Sequence, residues 1–162
     1  MAEMEKEQFS KLIRACSPNM YRLAAGILQN RQDAEDAVGE AILRAYENIG
    51  KLKNTEKFKA WIMQITANEA RKIYNQRKRT FPSEYLEELL PLFEDEHHEL
   101  WDIVMKLDVV FREVIILFYY EQLSIREIGQ VLKVKEGTVK SRLSRGKRQL
   151  REMLDKQDGN AW

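Results

Sequence analysis

Apolar residues recur along this chain at spacings of three and four, and no alternating strand pattern persists. The expectation is an all-α protein. In "RQDAEDAVGEAILRAYENI" the inward set is Ala34, Val38, Ala41, Ile42 and Ala45, and the helix opens with Asp33, Glu35, Asp36 and Glu40. A further helix is expected from about Lys59 in "FKAWIMQITANEARKIYNQRKR", with Trp61, Ile62, Ile65 and Ile73 as its apolar side. In "LWDIVMKLDVVFREVIILFYYEQL", Val104, Leu107, Phe111, Val114, Ile115 and Phe118 predict one or two helices. The aromatic cluster Phe118, Tyr119 and Tyr120 reads as core.

The pattern in "LSIREIGQVLKVKEGTVKSRLSRGKRQL" predicts a helix-turn-helix. Ser124 and Glu127 make a capping box. Ile125, Ile128, Val131 and Leu132 give the first helix an apolar face, and "KVKEG" is the turn, with Val134 plugging the angle. The second helix starts near Glu136, an acid that suits a helix N-terminus. At 100° per residue, Val139, Leu143, Gly146 and Leu150 share one stripe. Lys140, Ser144, Lys147 and Arg151 form the adjacent stripe, and Ser141, Arg145 and Arg148 widen the polar arc. Small Gly146 on the buried side permits close packing.

Charge sharpens this picture. The chain of 162 residues carries a net charge of only +1, yet Lys140 to Arg151 holds six basic residues and no acid. A supported back and a cationic front are what a helix needs to enter a major groove. Arg142, Arg145 and Arg148 are assigned to phosphates or bases, with Lys140 and Ser141 nearer the end that meets base edges. On the helix from Lys59, Gln64, Asn68, Arg71 and Asn75 align within a narrow angle, a row of amides and an arginine suited to nucleic acid. Five basic residues and no acid follow between Arg71 and Arg79. Two tethered basic sites on one duplex gain avidity. The acids at the start of the upstream helix form an exposed patch that is either inert surface or a protein docking site.

Composition sets the organisation and excludes several classes. Apolar content of 44% suffices for packed cores, and the apolar runs are too short to span a bilayer. The start of the chain lacks the apolar core of a signal peptide, and Cys16 has no second cysteine to pair with. A cytoplasmic protein without direct membrane insertion is expected, with Cys16 as a buried thiol. Pro82, Pro91 and a run of acids from Ser83 to Glu99 mark a linker. The expected organisation is residues 1–80 as a first helical domain, 81–99 as an acidic linker, 100–156 as the helix-turn-helix domain and 157–162 as a tail. Glu94 and His97 have an i, i+3 metal-ligand spacing, but a metal site needs partners on other helices, so no metal is expected. With one cysteine, two adjacent histidines and no catalytic motif, neither an enzyme nor a cofactor is expected.

Taken in order, "DAEDAVGEAILRAYENI", "FKAWIMQITANEARKIYNQRKR" and "LSIREIGQVLKVKEGTVKSRLSRGKRQLRE" resemble the extracytoplasmic-function (ECF) sigma factors, small specificity subunits of bacterial RNA polymerase in the sigma-70 family. The resemblance implies a first block like sigma region 2, which binds core polymerase and reads the −10 element, and a second like region 4, which binds the −35 element. It puts Glu35, Asp36 and Glu40 in the polymerase-binding helix. It puts Trp61, Gln64, Asn68, Arg71 and Asn75 toward the −10 element, although Trp61 reads first as core packing on its chemistry alone. Lys140, Ser141, Arg142, Ser144, Arg145 and Arg148 then face the −35 element. It also implies an anti-sigma factor as a partner. The chain shows no sustained a/d seam for a dimer, and a monomer is expected when free. Gly39 and Lys135 depart from the family's usual residues. The rival reading is a stand-alone helix-turn-helix regulator, which would need a dimer to span two half-sites.

Overall fold

The structure, a computed structural model, describes residues 6–80 and 98–159. Of the expected acidic linker 81–99, residues 81–97, with Glu94 and His97, fall outside the described residues, while His98 and Glu99 belong to a helix. Among the described residues every regular element is helical, as the periodicity predicts.

Helix α1 (Lys6–Leu28) runs through Pro18 and stops where Gln29 takes a left-handed conformation, φ 52°. After a two-residue turn, Asn30 caps α2 (Arg31–Glu47), its side chain accepting from the Asp33 amide at 2.9 Å. Two short 3₁₀ turns, Ile49–Lys51 and Thr55–Lys57, lead to α3 (Phe58–Thr80). Met20, Leu23, Ala24, Ala37, Ala41, Ile62 and Met63 are buried between these three helices. The alanines on α2 let its backbone approach its neighbours closely.

The second block begins with α4 (His98–Val104) and α5 (Val109–Ile115), the expected one or two helices. Helix α5 widens into a π-helical turn, Ile116–Tyr120, and the Glu121 amide reaches back five residues to the Ile116 carbonyl at 3.0 Å. The helix-turn-helix follows as α6 (Ile125–Leu132) and α7 (Glu136–Gly159). The aromatic cluster departs from expectation. Phe118 and Tyr120 are half-buried, but Tyr119 is 47% exposed, because the wider turn rotates it off the apolar stripe. Cys16 is half-buried, and burial raises its pKa above the ordinary 9.0.

The two blocks do not stand apart. Their buried residues form one continuous apolar cluster. At the seam, a Cβ on Gly26 of α1 would collide with the terminal methyl of buried Ile116 and touch Trp101, so a larger residue here would force Ile116 to shift. Arg112 of α5 fills the same end of α1, donating to the carbonyls of Gly26 and Ile27 as well as to Leu107. It thereby satisfies carbonyls that the helix terminus leaves open.

Candidate nucleic-acid interface

Local chemistry builds the helix-turn-helix. Ser124 Oγ accepts from the Glu127 amide at 3.1 Å, and Glu127 Oε1 accepts from the Ser124 amide at 3.0 Å, the expected capping box. Lys133 ends α6 in the left-handed region, φ 58°, and the Val134 amide bonds the Gly129 carbonyl at 3.0 Å. Val134 packs half-buried against the core, as expected of a residue plugging that angle.

Helix α7 is then seated from behind. Val139 and Leu143 are buried, Leu150 is half-buried, and Gly146 is pressed against Ile115 and Phe111. The front carries Lys140, Ser141, Ser144, Arg145 and Arg148, all exposed, with Arg142 half-buried at the edge. Among the described residues no ion pair neutralises Lys140, Arg142, Arg145 or Arg148. Lys147 and Arg151 line the same groove as Lys140, Ser144 and Arg148, a concavity of about 410 Å³. Both lay on the sequence-derived stripe but not among the expected contacts. The Lys147 ammonium also sits over the Tyr119 ring, 5.5 Å from its centroid, which gives that exposed tyrosine a role as a support for the basic groove.

The α3 row is divided. Asn68 and Asn75 are exposed. Trp61 is half-buried, packed on Phe58 with centroids 5.7 Å apart, so the packing part of its reading holds. Trp61 and Gln64 face Arg126, Glu127 and Gln130 of α6 across a cleft of about 440 Å³. Arg71 reaches into the second block, donating from Nε and Nη2 to the Glu113 carboxylate and from Nη1 to the Leu132 carbonyl. The basic end of α3 is partly spoken for as well, because Arg77 pairs with Asp33 at 3.0 Å.

That pair corrects the acidic patch on α2. Asp33 is buried, not exposed, because it faces α3 and its charge needs the Arg77 partner. Glu35, Asp36 and Glu40 are exposed. Leu43, 58% exposed, stands three residues after Glu40 on the same face, and Tyr46 is exposed nearby. Neither was expected. The signal was present, since Leu43 falls outside the stripe of Ala34, Val38, Ala41 and Ala45.

Among the described residues no group of three or more histidine, cysteine or acidic side chains is placed to hold a metal ion, and no helix is long and apolar enough to cross a membrane.

Comparison with known proteins fits this geometry. The pattern that defines Sigma-70 region 2 matches residues 12–80, and that of Sigma-70, region 4 matches residues 97–150. The ECF RNA polymerase sigma factor SigW of Bacillus subtilis is 31% identical over 172 residues, covering 93% of this chain and 90% of that protein. SigV of the same organism, an RNA polymerase sigma factor, is 30% identical over 165 residues, covering 96% of this chain and 99% of that protein. Among solved structures, the sigma factor RpoE of Bartonella quintana, in complex with the anti-sigma factor NepR, superposes with a TM-score of 0.75 at 23% identity, covering 92% of this chain and 98% of that one. CnrH, in complex with the cytosolic domain of CnrY, superposes with a TM-score of 0.70 at 22% identity, covering 93% and 90%. The two structures share the fold, and the two curated relatives share sequence across nearly their whole length. With both halves of the chain matched in order, this protein belongs to the ECF RNA polymerase sigma factors, a family of transcription initiation subunits and not of enzymes.

Proposed function

We propose that this chain carries core RNA polymerase to promoters by laying α7 on a −35 element and α3 on a −10 element. The observation that carries the reading is the row of exposed, unpaired cations on α7 over the buried Val139 and Leu143. Arg142, Arg145 and Arg148 take phosphates or base edges, Lys140 and Ser141 lie at the leading end of the helix, and Ser144 sits between them. On the first block, Asn68 and Asn75 offer amides to a DNA strand, together with Trp61, Gln64 and Arg71. Glu35, Asp36 and Glu40 on α2 form the surface for the polymerase. Residues 1–80 and 100–156 are the two working units. The chain itself is not catalytic and needs no cofactor. It works in the cytoplasm beside the polymerase and is a monomer when free.

RpoE was solved in complex with the anti-sigma factor NepR, and CnrH in complex with the cytosolic domain of CnrY. By analogy we assign this chain an anti-sigma partner. A stand-alone regulator is disfavoured, because such a protein has no use for a region 2 block.

The test is sedimentation of the purified chain with core polymerase, followed by run-off transcription from a promoter selected with the resulting holoenzyme. Co-sedimentation and specific transcripts are expected, with transcripts reduced by Arg145→Ala. A chain that leaves core polymerase unshifted overturns the reading.

A further inference from the structure

Helix α7 meets the π-helical turn at one cation. Gly146 lets α7 close on α5, where an added Cβ would come to 3.2 Å from Ile115 and 3.5 Å from Phe111. The next residue, Lys147, is thereby brought beside the turn Ile116–Tyr120. Its ammonium lies 5.8 Å from the centroid of the Phe118 ring and 5.5 Å from that of Tyr119. The two rings stand edge to face, 5.0 Å apart at 80°, and make a corner around it. We propose that Lys147 is a pre-set anchor for a backbone phosphate of the −35 duplex, and that Tyr119 is the residue that positions it. The proposal rests on the reading of α7 as the −35 helix.

A lysine carries its charge on a flexible stem and loses rotamer freedom when it takes a ligand. The aromatic corner does part of that ordering before DNA arrives. The charge remains available, because Lys147 is exposed and no carboxylate pairs with it among the described residues. An ammonium has three N–H donors, and the rings occupy only its flank, so its groove side is open to an anion.

Place along the helix decides which anion. Lys147 and Phe118 line the same groove as Lys140 and Ser144. Lys147 stands about two turns beyond Lys140, roughly 10 Å along the axis. The leading end of a recognition helix meets base edges, so a cation this far behind it meets the wall of the groove, which is phosphate. A phosphate contact carries no sequence information but fixes register. Lys147 therefore sets where Lys140 and Ser141 fall on the base pairs.

The test uses holoenzyme assembled from the full chain with saturating core polymerase, titrated against a labelled promoter fragment selected with it, over a range of salt concentrations. Lys147→Ala is expected to weaken binding about tenfold. It is also expected to flatten the slope of log affinity against log salt by about 0.9, the counterion release of one phosphate. Tyr119→Leu keeps the charge and loses the ring, so a loss of about twofold to fivefold is expected with the slope unchanged. Tyr119→Phe keeps the ring and is expected to bind as wild type does. In a Lys147→Ala background, Tyr119→Leu is expected to cost nothing further, a result that a general structural defect would not give. Tyr119 also borders an apolar hollow of about 310 Å³ with Leu100, Val104, Leu150 and Leu154, so affinity for core polymerase is measured separately for each variant. A wild-type slope in Lys147→Ala overturns the anchor. A Tyr119→Leu loss that persists without Lys147 overturns the positioning role. Arg145→Ala separates the two readings: if it weakens binding while Lys147→Ala does not, the anchor alone fails, and if neither does, the −35 reading of α7 fails with it.

Discussion

Arg71 of α3 grips Glu113 of α5 in a two-point ion pair, Nη2 to Oε2 at 2.8 Å and Nε to Oε1 at 3.3 Å, between residues 42 apart in the chain. The planar guanidinium fork matches the carboxylate in a way that a lysine does not. Arg71→Ala leaves the Glu113 charge buried and unpaired. A fully buried pair costs about 3–5 kcal/mol when one partner is removed, and partial exposure of Arg71 lowers the expected loss to about 2–3 kcal/mol. Arg71→Lys recovers part of it. Urea midpoints of the three proteins check the order, and an alanine variant within about 0.5 kcal/mol of wild type contradicts it.

Glu121 gives the fold a pH dependence of defined sign. Burial raises its pKa from the ordinary 4.5, against the opposing pull of Asn19, Arg22 and Lys59. Folding therefore favours the protonated carboxyl. Its contribution to stability is complete below about 4.5, the unfolded value, and is lost as pH rises through the raised folded value. Cys16, the other titrating group beside Lys59, stays protonated over this window because its pKa lies above 9.0. Glu121→Gln keeps a neutral side chain of similar shape and removes the slope. The variant is expected to gain on wild type in urea melts as pH rises from 4.5 and then to level off. A gap that does not vary with pH rules burial out as the dominant influence.

Two glycines in neighbouring helices make a controlled pair. At Gly39 of α2 a Cβ meets nothing within 4 Å, whereas at Gly26 it strikes the buried Ile116. Gly39→Ala is expected to stabilise by about 0.5–1 kcal/mol, the ordinary helix gain over glycine. Gly26→Ala has the same gain but carries an overpacking cost of about 1–3 kcal/mol. Thermal or urea unfolding should separate the two variants by that difference. Equal stabilities would mean that α1 does not approach Ile116 as closely as described.

The polymerase surface proposed on α2 is testable at Asp36 and at its exposed neighbour Leu43, neither of which is part of the core. Both are exposed, so Leu43→Ala and Asp36→Lys are expected to leave stability within about 0.5 kcal/mol. Each is expected to weaken binding to core polymerase about tenfold, roughly 1.4 kcal/mol. Fluorescence titration of labelled chain with core polymerase measures the loss. Unchanged affinity in both variants would move the docking surface off this face of α2.

What the sequence determined by itself is local. Ser124 and Glu127 are three positions apart, and their capping box is written in that spacing. Val139, Leu143 and Gly146 declare the back of α7 by period alone, and so its cationic front is known before any fold is built. The same rule left Leu43 off the inward stripe of α2. What only the tertiary structure decided is which charges remain available. Arg71 and Arg77 sit in the same basic run as any DNA-facing residue, and nothing in their neighbours along the chain says that Glu113 and Asp33 will take them. Glu121 and Arg22 lie 99 positions apart, and Arg112 lies 86 from Gly26. A helix period fixes which side a residue takes, but the partner of a buried charge is set by which helices close upon it, and that is a property of the packed chain.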